Sequence, residues 1–338
     1  MALSPVGTQG VFAPVNIAGV LFAKTDVRTP LFNMLGGVAS SAREFLCSAE
    51  YSLGAASQPA ISEDASQTAP APTYDTPTQD NNVTQMFHRS VAATYRKMSN
   101  TDELTGLNLA GQSNNVQNPL AFAIANRTAE IRNDIEFTII NGVYSLATTS
   151  ATIDKTRGLN AAIETNVVTG GSDELGGDML IELAQGVVTD SPYGLLGVTG
   201  VLNPEQMVQL NKIILNQGQR ASMSDAGLAL TTYLTPFGRL NFMAHLYQPN
   251  CTAGFYNLGI CRNVLQGVPG KGNFFYEALA KVGAGESGQI FGQWGLDYGP
   301  EWMHAKITGL STTTAATTAP QVFVTNGSGS PVFTDEVS

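Results

Sequence analysis

Residues 118–147 read NPLAFAIANRTAEIRNDIEFTIINGVYSLA, and this stretch decides the architecture. Asn118 is a good N-cap, with a side-chain oxygen able to accept from a first-turn amide. Pro119 suits the first helical position, where no amide hydrogen is needed. Leu120, Ile124, Ile131, Ile135, Ile139 and Val143 then recur at helical spacing, with Thr128 in the one gap. Arg127, Glu130, Arg132, Asn133, Asp134 and Glu136 fall mainly off that stripe, and Arg132 and Glu136 are spaced as an i,i+4 pair. The spacing predicts one helix from Pro119 to about Ala147, roughly 43 Å long at ~1.5 Å per residue. Such a helix suits a spine along an elongated subunit better than a small enzyme domain.

Upstream the chain changes character. Between Arg43 and Arg89 there is no Lys or Arg, and Glu63, Asp64, Asp75 and Asp80 sit among Ser, Ala, Thr and Pro. Pro59, Pro70, Pro72 and Pro77 exclude a helix there. Phe45–Leu53 and Val83–Met98 flank this stretch, the second rich in β-branched and aromatic residues, and both read as strands. The prediction is a long hairpin projecting from the body. A connection of this length is usually functional or disordered, and its low charge favours contact with a neighbour. Residues 1–40, broken by Pro5, Pro14 and Pro30, read as an extended arm.

Downstream the pattern becomes mixed. Ser172–Val188 reads as a helix with Leu175, Met179, Leu183 and Val187 on one face. Gly194–Leu202 reads as a buried strand. Asn203 and Gln206 have the spacing of a capping box opening a helix that Gly218 could end. Strands are expected at Thr231–Leu234, Arg239–Tyr247, Gly254–Leu265, Phe274–Lys281, Gln289–Leu296 and Glu301–Leu310. Residues 311–338 form a Thr/Ala-rich end, either a terminal strand or a loose tail. No repeat of fixed period occurs.

Composition bounds the function. Charged residues make up 13% of the 338, about half the ~25% usual for a soluble domain. Either partner chains cover much of the surface or uncharged polar groups carry it. A net charge of −10 and a pI near 4.7 argue against a protein that grips nucleic acid through phosphate-neutralising cations. The three cysteines, Cys47, Cys251 and Cys261, form no CxxC and no disulfide framework, which points to a reducing birthplace. The N-terminus lacks signal-peptide character, and no apolar run is long enough to span a membrane. Two glycosylation sequons, at Asn82 and Asn126, read as chance matches in that setting.

Chemistry-bearing motifs are weak. His88, His245 and His304 each stand alone, without metal-ligand spacing. Cys251 and Cys261 read as small hydrophobes on neighbouring strands. Gly283–Gly288 matches GxGxxG by letter, but strand-like sequence follows where a dinucleotide fold needs a helix, so it reads as a turn. Gly267–Gly272 fails the phosphate-loop spacing, and no GxSxG elbow is present. Glu63-Asp64 lies in a polar loop, and Asp173-Glu174 fits the start of a helix. No catalytic, cofactor-binding or metal-binding residue is assigned, and no enzyme activity is expected.

The order of parts is specific, and it resembles the major capsid proteins of tailed bacteriophages. Ala71–Pro77 followed by Asn81–Phe87 looks like an extended-loop segment of that family, and Glu130–Glu136 like the charged middle of its spine helix. Thr156–Leu159 and Ala305–Leu310 resemble the segment after that helix and the closing strand. The resemblance implies an α+β capsid fold. Its parts are an N-terminal arm (1–40), an extended loop (41–112), a peripheral domain with the spine helix (113–160) and an axial domain (161–265). Returning peripheral strands (266–310) and a tail (311–338) follow. It further implies a virion shell protein, assembled in the host cytoplasm, that forms hexamers and pentamers of an icosahedral capsid around double-stranded DNA. Portal, scaffolding or cement proteins are the implied partners besides the chain itself, with no membrane, no cofactor and no sequence-specific DNA contact. An encapsulin-type nanocompartment shell or another virion structural protein is the alternative.

Overall fold

Gly142 ends the long helix at Asn141, not at Ala147. A Cβ on Gly142 would stand 2.6 Å from the Thr156 carbonyl oxygen and 2.7 Å from that of Thr138. Gly158 lies against it in the same way, its imagined Cβ 2.5 Å from the Gly142 nitrogen. The Gly158 amide donates to the Gly142 carbonyl at 3.0 Å. The backbone thus leaves the helix because a second backbone crosses it there, and only glycine permits the approach.

The computed structural model describes residues 29–98, 119–216, 231–311, 323–325 and 331–333, without residues 41, 52–55, 59, 70, 72, 73, 75 and 192. The expected cap Asn118, the possible stop Gly218 and most of the arm and tail lie outside these residues. In chain order the elements begin with α1 (Pro30–Met34), β1 (Gly36–Ser40), β2 (Glu44–Glu50), α2 (Glu63–Ser66), β3 (Thr78–Val83), β4 (Gln85–Thr94) and α3 (Tyr95–Met98). The middle comprises α4 (Pro119–Asn141), α5 (Leu159–Ala162), β5 (Val167–Thr169), α6 (Gly177–Asp190), β6 (Val198–Leu202) and α7 (Pro204–Asn216). Then come β7 (Thr231–Thr235), β8 (Gly238–Ala244), β9 (Thr252–Asn257), β10 (Arg262–Gln266), β11 (Phe274–Ala278), β12 (Gly285–Asp297), β13 (Ala305–Thr308), β14 (Phe323–Thr325) and β15 (Pro331–Phe333). No described helix is long and apolar enough to cross a membrane.

Two cores result. In the first, α4 lays Ile131, Ile135, Ile139 and Ile140 against a five-stranded sheet, with Phe87, Val91, Ile290, Trp294 and Leu296 facing it. Strand β12 is the hub: it pairs antiparallel with β4, β11 and β10, and β1 adds to β10 in parallel. In the second core, α6 and α7 pack Leu180, Leu183, Val187, Leu210 and Ile214 against the six-stranded sheet β5-β13-β9-β6-β8-β7. These buried stripes follow the 3.6-residue spacing that makes an amphipathic helix.

Several expected boundaries move. Residues 29–40 are not a free arm end: they form α1 and β1, and Leu31 is fully buried. Val83–Met98 is not one strand: Val83 ends β3, Thr84 breaks the run, Gln85–Thr94 is β4 in another sheet, and Tyr95–Met98 is the helix α3. The Thr84 amide donates to the Arg43 carbonyl and its hydroxyl to Gln266 Oε1. Gly254–Leu265 likewise divides into β9 and β10, which lie in different sheets. The strands expected over 266–310 also separate, with β11 and β12 in the first sheet and β13 in the second. Gln206 does not close a capping box; its amide donates to the carbonyls of Asn250 and Ser311, while Asn203 Oδ1 accepts the Glu205 amide. Helix α6 starts at Gly177, so Asp173-Glu174 precedes it and Asp178 holds the first-turn acidic position. In the tail, β14 and β15 pair antiparallel.

Candidate assembly interface

The hairpin is built from β2 and β3, which pair antiparallel from Glu44↔Val83 to Glu50↔Thr78 with an irregularity between Leu46 and Ser48. The returning strand is therefore Thr78–Val83, not Val83–Met98. Its root is bound tightly to the body. Asn82 is fully buried, and its Nδ2 donates to the carbonyls of Leu296 (2.7 Å) and Arg157 (3.1 Å). Its Oδ1 accepts the Arg157 amide at 2.8 Å. One side chain so joins the hairpin, the segment after α4 and β12, and every polar atom it buries is satisfied. Beside it Arg157 pairs with Asp80, Tyr298 donates to Asp80, and the Arg157 guanidinium lies 4.9 Å from the Tyr144 ring centroid. Trp302 Nε1 donates to Glu50 at 2.8 Å. Phe45 fills the space that a side chain at Gly295 would need.

Beyond Glu50 the described residues lose contact with the body. Tyr51, Ile61 and Tyr74 are 67%, 70% and 86% exposed. Large apolar groups held out in water on a fixed stem mark an interaction site. The short helix α2 forms here because Ser62 Oγ accepts the Ala65 amide at 3.2 Å, with Glu63 and Asp64 in its first turn. Ser62 followed by two acids is an N-terminal helix signal that the proline-based reading of this loop passed over.

The arm's root has its own anchor. Glu136, among the residues expected mainly off the apolar stripe of the spine helix, is fully buried. Its carboxylate accepts the Leu31 and Phe32 amides at 2.8 Å each and meets His245 Nε2 at 2.9 Å. These amides are first-turn donors of α1, whose N-cap Thr29 gives no side-chain bond, so a residue from another helix caps it. Asn263 holds the opposite end through the Phe32 and Leu35 carbonyls. Arg132 does not pair with Glu136; its guanidinium lies over the Phe32 ring.

The remaining chemistry-bearing residues stay apart. His88 is exposed beside Gln289, and His245 serves Glu136. His304 is fully buried at the turn before β13, between the Asn257 amide and the Tyr298 carbonyl, and burial pushes its pKa down to about 4. Among the described residues no group of three or more His, Cys, Asp or Glu could hold a metal ion. Burial pushes the Cys47 thiol up to about 12 and raises Cys261 as well, which keeps both as unreactive thiols. Cys251 is exposed, outside the strand where an apolar role was expected. The GxGxxG letters are not a turn throughout: Gly285–Gly288 begins β12, pairing with Thr94–Val91. Gly288 and Gly292 leave room for the Tyr276 and Phe274 rings across the strand pair.

A sheet-backed spine helix, a second α/β layer and a clamped outreaching hairpin define a shell-forming capsid subunit. Solved shells share this fold. The encapsulin SrpI of Synechococcus elongatus PCC 7942 matches with a TM-score of 0.60 at 12% identity, over 88% of this chain and 95% of that one. The capsid of cyanophage A-1(L) gives 0.57 at 11%, over 87% and 96%. The capsid of the native GTA particle gives 0.56 at 11%, over 92% and 100%. The chain belongs to the SU10 major capsid protein family, whose model matches residues 5–311. No curated protein matches it.

Proposed function

We propose that copies of this major capsid protein form hexamers and pentamers that close into an icosahedral shell around double-stranded DNA, with each hairpin laid over a neighbouring copy. The observation that carries this reading is the hairpin's division into a buried, fully bonded root and an exposed apolar reach. A free-standing subunit gains nothing from Ile61 and Tyr74 in water; a subunit covered by its neighbour gains their burial, about 1.5–3 kcal/mol for each large apolar group. In this reading the first core is the peripheral part of the subunit and the second the axial part. The net charge of −10 suits a wall that confines DNA without holding it fast. Portal, scaffolding and cement proteins would complete the particle, which would assemble in the host cytoplasm.

Negative-stain electron microscopy with size-exclusion chromatography of the expressed protein tests the assembly. Shells, hexamers or pentamers are expected. Replacing residues 51–77 by Asn-Gly joins β2 to β3 through a two-residue turn. That variant should fold as a subunit and lose assembly; normal shells from it would refute the hairpin's role. The second reading, a nanocompartment, is favoured by the match to an encapsulin shell. Protein cargo in place of nucleic acid inside isolated particles would decide for it.

A further inference from the structure

We propose that the groove between the end of α4 and strands β9 and β13 of the second sheet receives the Ile61–Asp64 segment of a neighbouring copy's hairpin, with Lys306 as its charge partner. This rests on the reading of the hairpin as an inter-subunit element. The groove holds about 290 Å³ and is lined by Asn141, Val143, Pro249, Thr252 and Lys306, among others, with no acidic residue in its lining.

Lys306 is the one cation in that lining, and like Arg132, Lys155, Lys212, Arg239 and Arg262 it has no ion pair among the described residues. Arg43, Arg89, Arg127, Arg157, Lys271 and Lys281 each stand within 4.0 Å of a carboxylate oxygen. The Lys306 ammonium donates to the Asn160 carbonyl at 2.9 Å and forms no ion pair among the described residues. It is half-buried on the face of β13 opposite Ala305 and Ile307, which enter the second core. At the groove's rim Val143 is 68% exposed, although its spacing continues the buried stripe of α4. The site therefore offers one unmatched positive charge beside an uncovered apolar edge.

The hairpin carries the complement. Between Arg43 and Arg89 the sequence has acids and no Lys or Arg. Of these acids, Glu44, Glu50 and Asp80 are used within the subunit, by Asn81, by Trp302 and by Arg157 with Tyr298. Glu63 and Asp64 are exposed, and Ile61 next to them is 70% exposed. An apolar side chain followed by two carboxylates matches an apolar rim followed by an ammonium. Partial removal from water on docking strengthens such a pair over its value at a free surface.

Charge exchange tests the assignment. Lys306→Glu alone, and Glu63→Lys with Asp64→Lys, should each lower the sedimenting particle fraction at least fivefold, and the three changes together should restore it to within twofold of the parent. A combined variant no better than its parts, or Lys306→Glu assembling normally, would overturn the pairing. Independently of folding effects, and with the exposed Cys251 replaced by Ser, Ile61→Cys with Val143→Cys should give disulfide-linked chains in oxidised particles that neither single variant gives. Particles without that link would overturn the assignment. If the Asn-Gly hairpin variant fails to assemble while the exchange and the link both fail, the groove assignment falls and the hairpin reading stands; normal shells from that variant would remove both.

Discussion

Replacing Glu136 by Gln keeps the size of the side chain and removes its charge. In the parent, the two oxygens face three donors at 2.8, 2.8 and 2.9 Å, with no exposure to water. The amide retains one acceptor oxygen and turns an NH2 group toward at least one of those donors. One charge-assisted bond, worth about 1.5–3 kcal/mol, is lost, and a buried donor is left facing another donor at a cost of about 1–3 kcal/mol. The expected loss is about 3 kcal/mol of subunit stability, and Glu136→Ala, which strands all three donors, should cost more. Urea unfolding of the free subunit, followed by the fluorescence of Trp294 and Trp302, reads the change. Hydrogen exchange adds a local signature, because the Leu31 and Phe32 amides should exchange faster than those in the middle of α4. A loss below about 1 kcal/mol with unchanged exchange at Leu31 would refute the claim that Glu136 holds the root of the arm.

Other tests address the joints and the buried imidazole. Burial lowers the His304 pKa from its ordinary 6.5 to about 4, so between those values the unfolded chain binds a proton that the folded chain does not. Stability is fully present above pH 6.5 and falls by up to about 3 kcal/mol as the pH drops to 4; urea midpoints across that range should lose this slope in His304→Asn. Gly142→Ala forces a methyl to within 2.6 Å of the Thr156 carbonyl and should cost about 3 kcal/mol or more, read by thermal unfolding. Asn82→Ala strips partners from the buried Arg157 amide and the Leu296 carbonyl and should cost about 2–4 kcal/mol, with limited proteolysis faster in residues 44–50 than in α6.

The spine helix was legible because its buried face is a matter of local spacing, and Ile131, Ile135 and Ile139 all fall where the period puts them. Its end was not, since the stop at Gly142 depends on a backbone that passes sixteen residues later at Gly158. Glu136 read only as an off-stripe residue spaced to pair with Arg132, because its three partners lie at Leu31, Phe32 and His245, each more than a hundred positions away. The same holds for Thr84, which ends one strand and begins another through bonds to Arg43 and Gln266. Within the hairpin, proline placement and the missing cations identified the loop. The true return strand, Thr78–Val83, carries Gln79, Asp80, Asn81 and Asn82, residues poor in strand propensity. Asn82 is buried there for its hydrogen bonds, a role that composition does not advertise.

The clamp at Asn82 also sets how the subunit bears force. A tug on the hairpin's tip, directed along its length, is carried by the β2 and β3 backbones together, with the ladder's hydrogen bonds lying across the pull. The ladder is therefore not opened end-on as in a zipper. At the base the load passes through Asn82 and the Arg157 backbone into β12, the strand on which β4, β10 and β11 all hang. The outreaching element is thus rooted in the most heavily braced strand of the first sheet. Tension between neighbouring subunits would be spread through that sheet before it could peel the hairpin away.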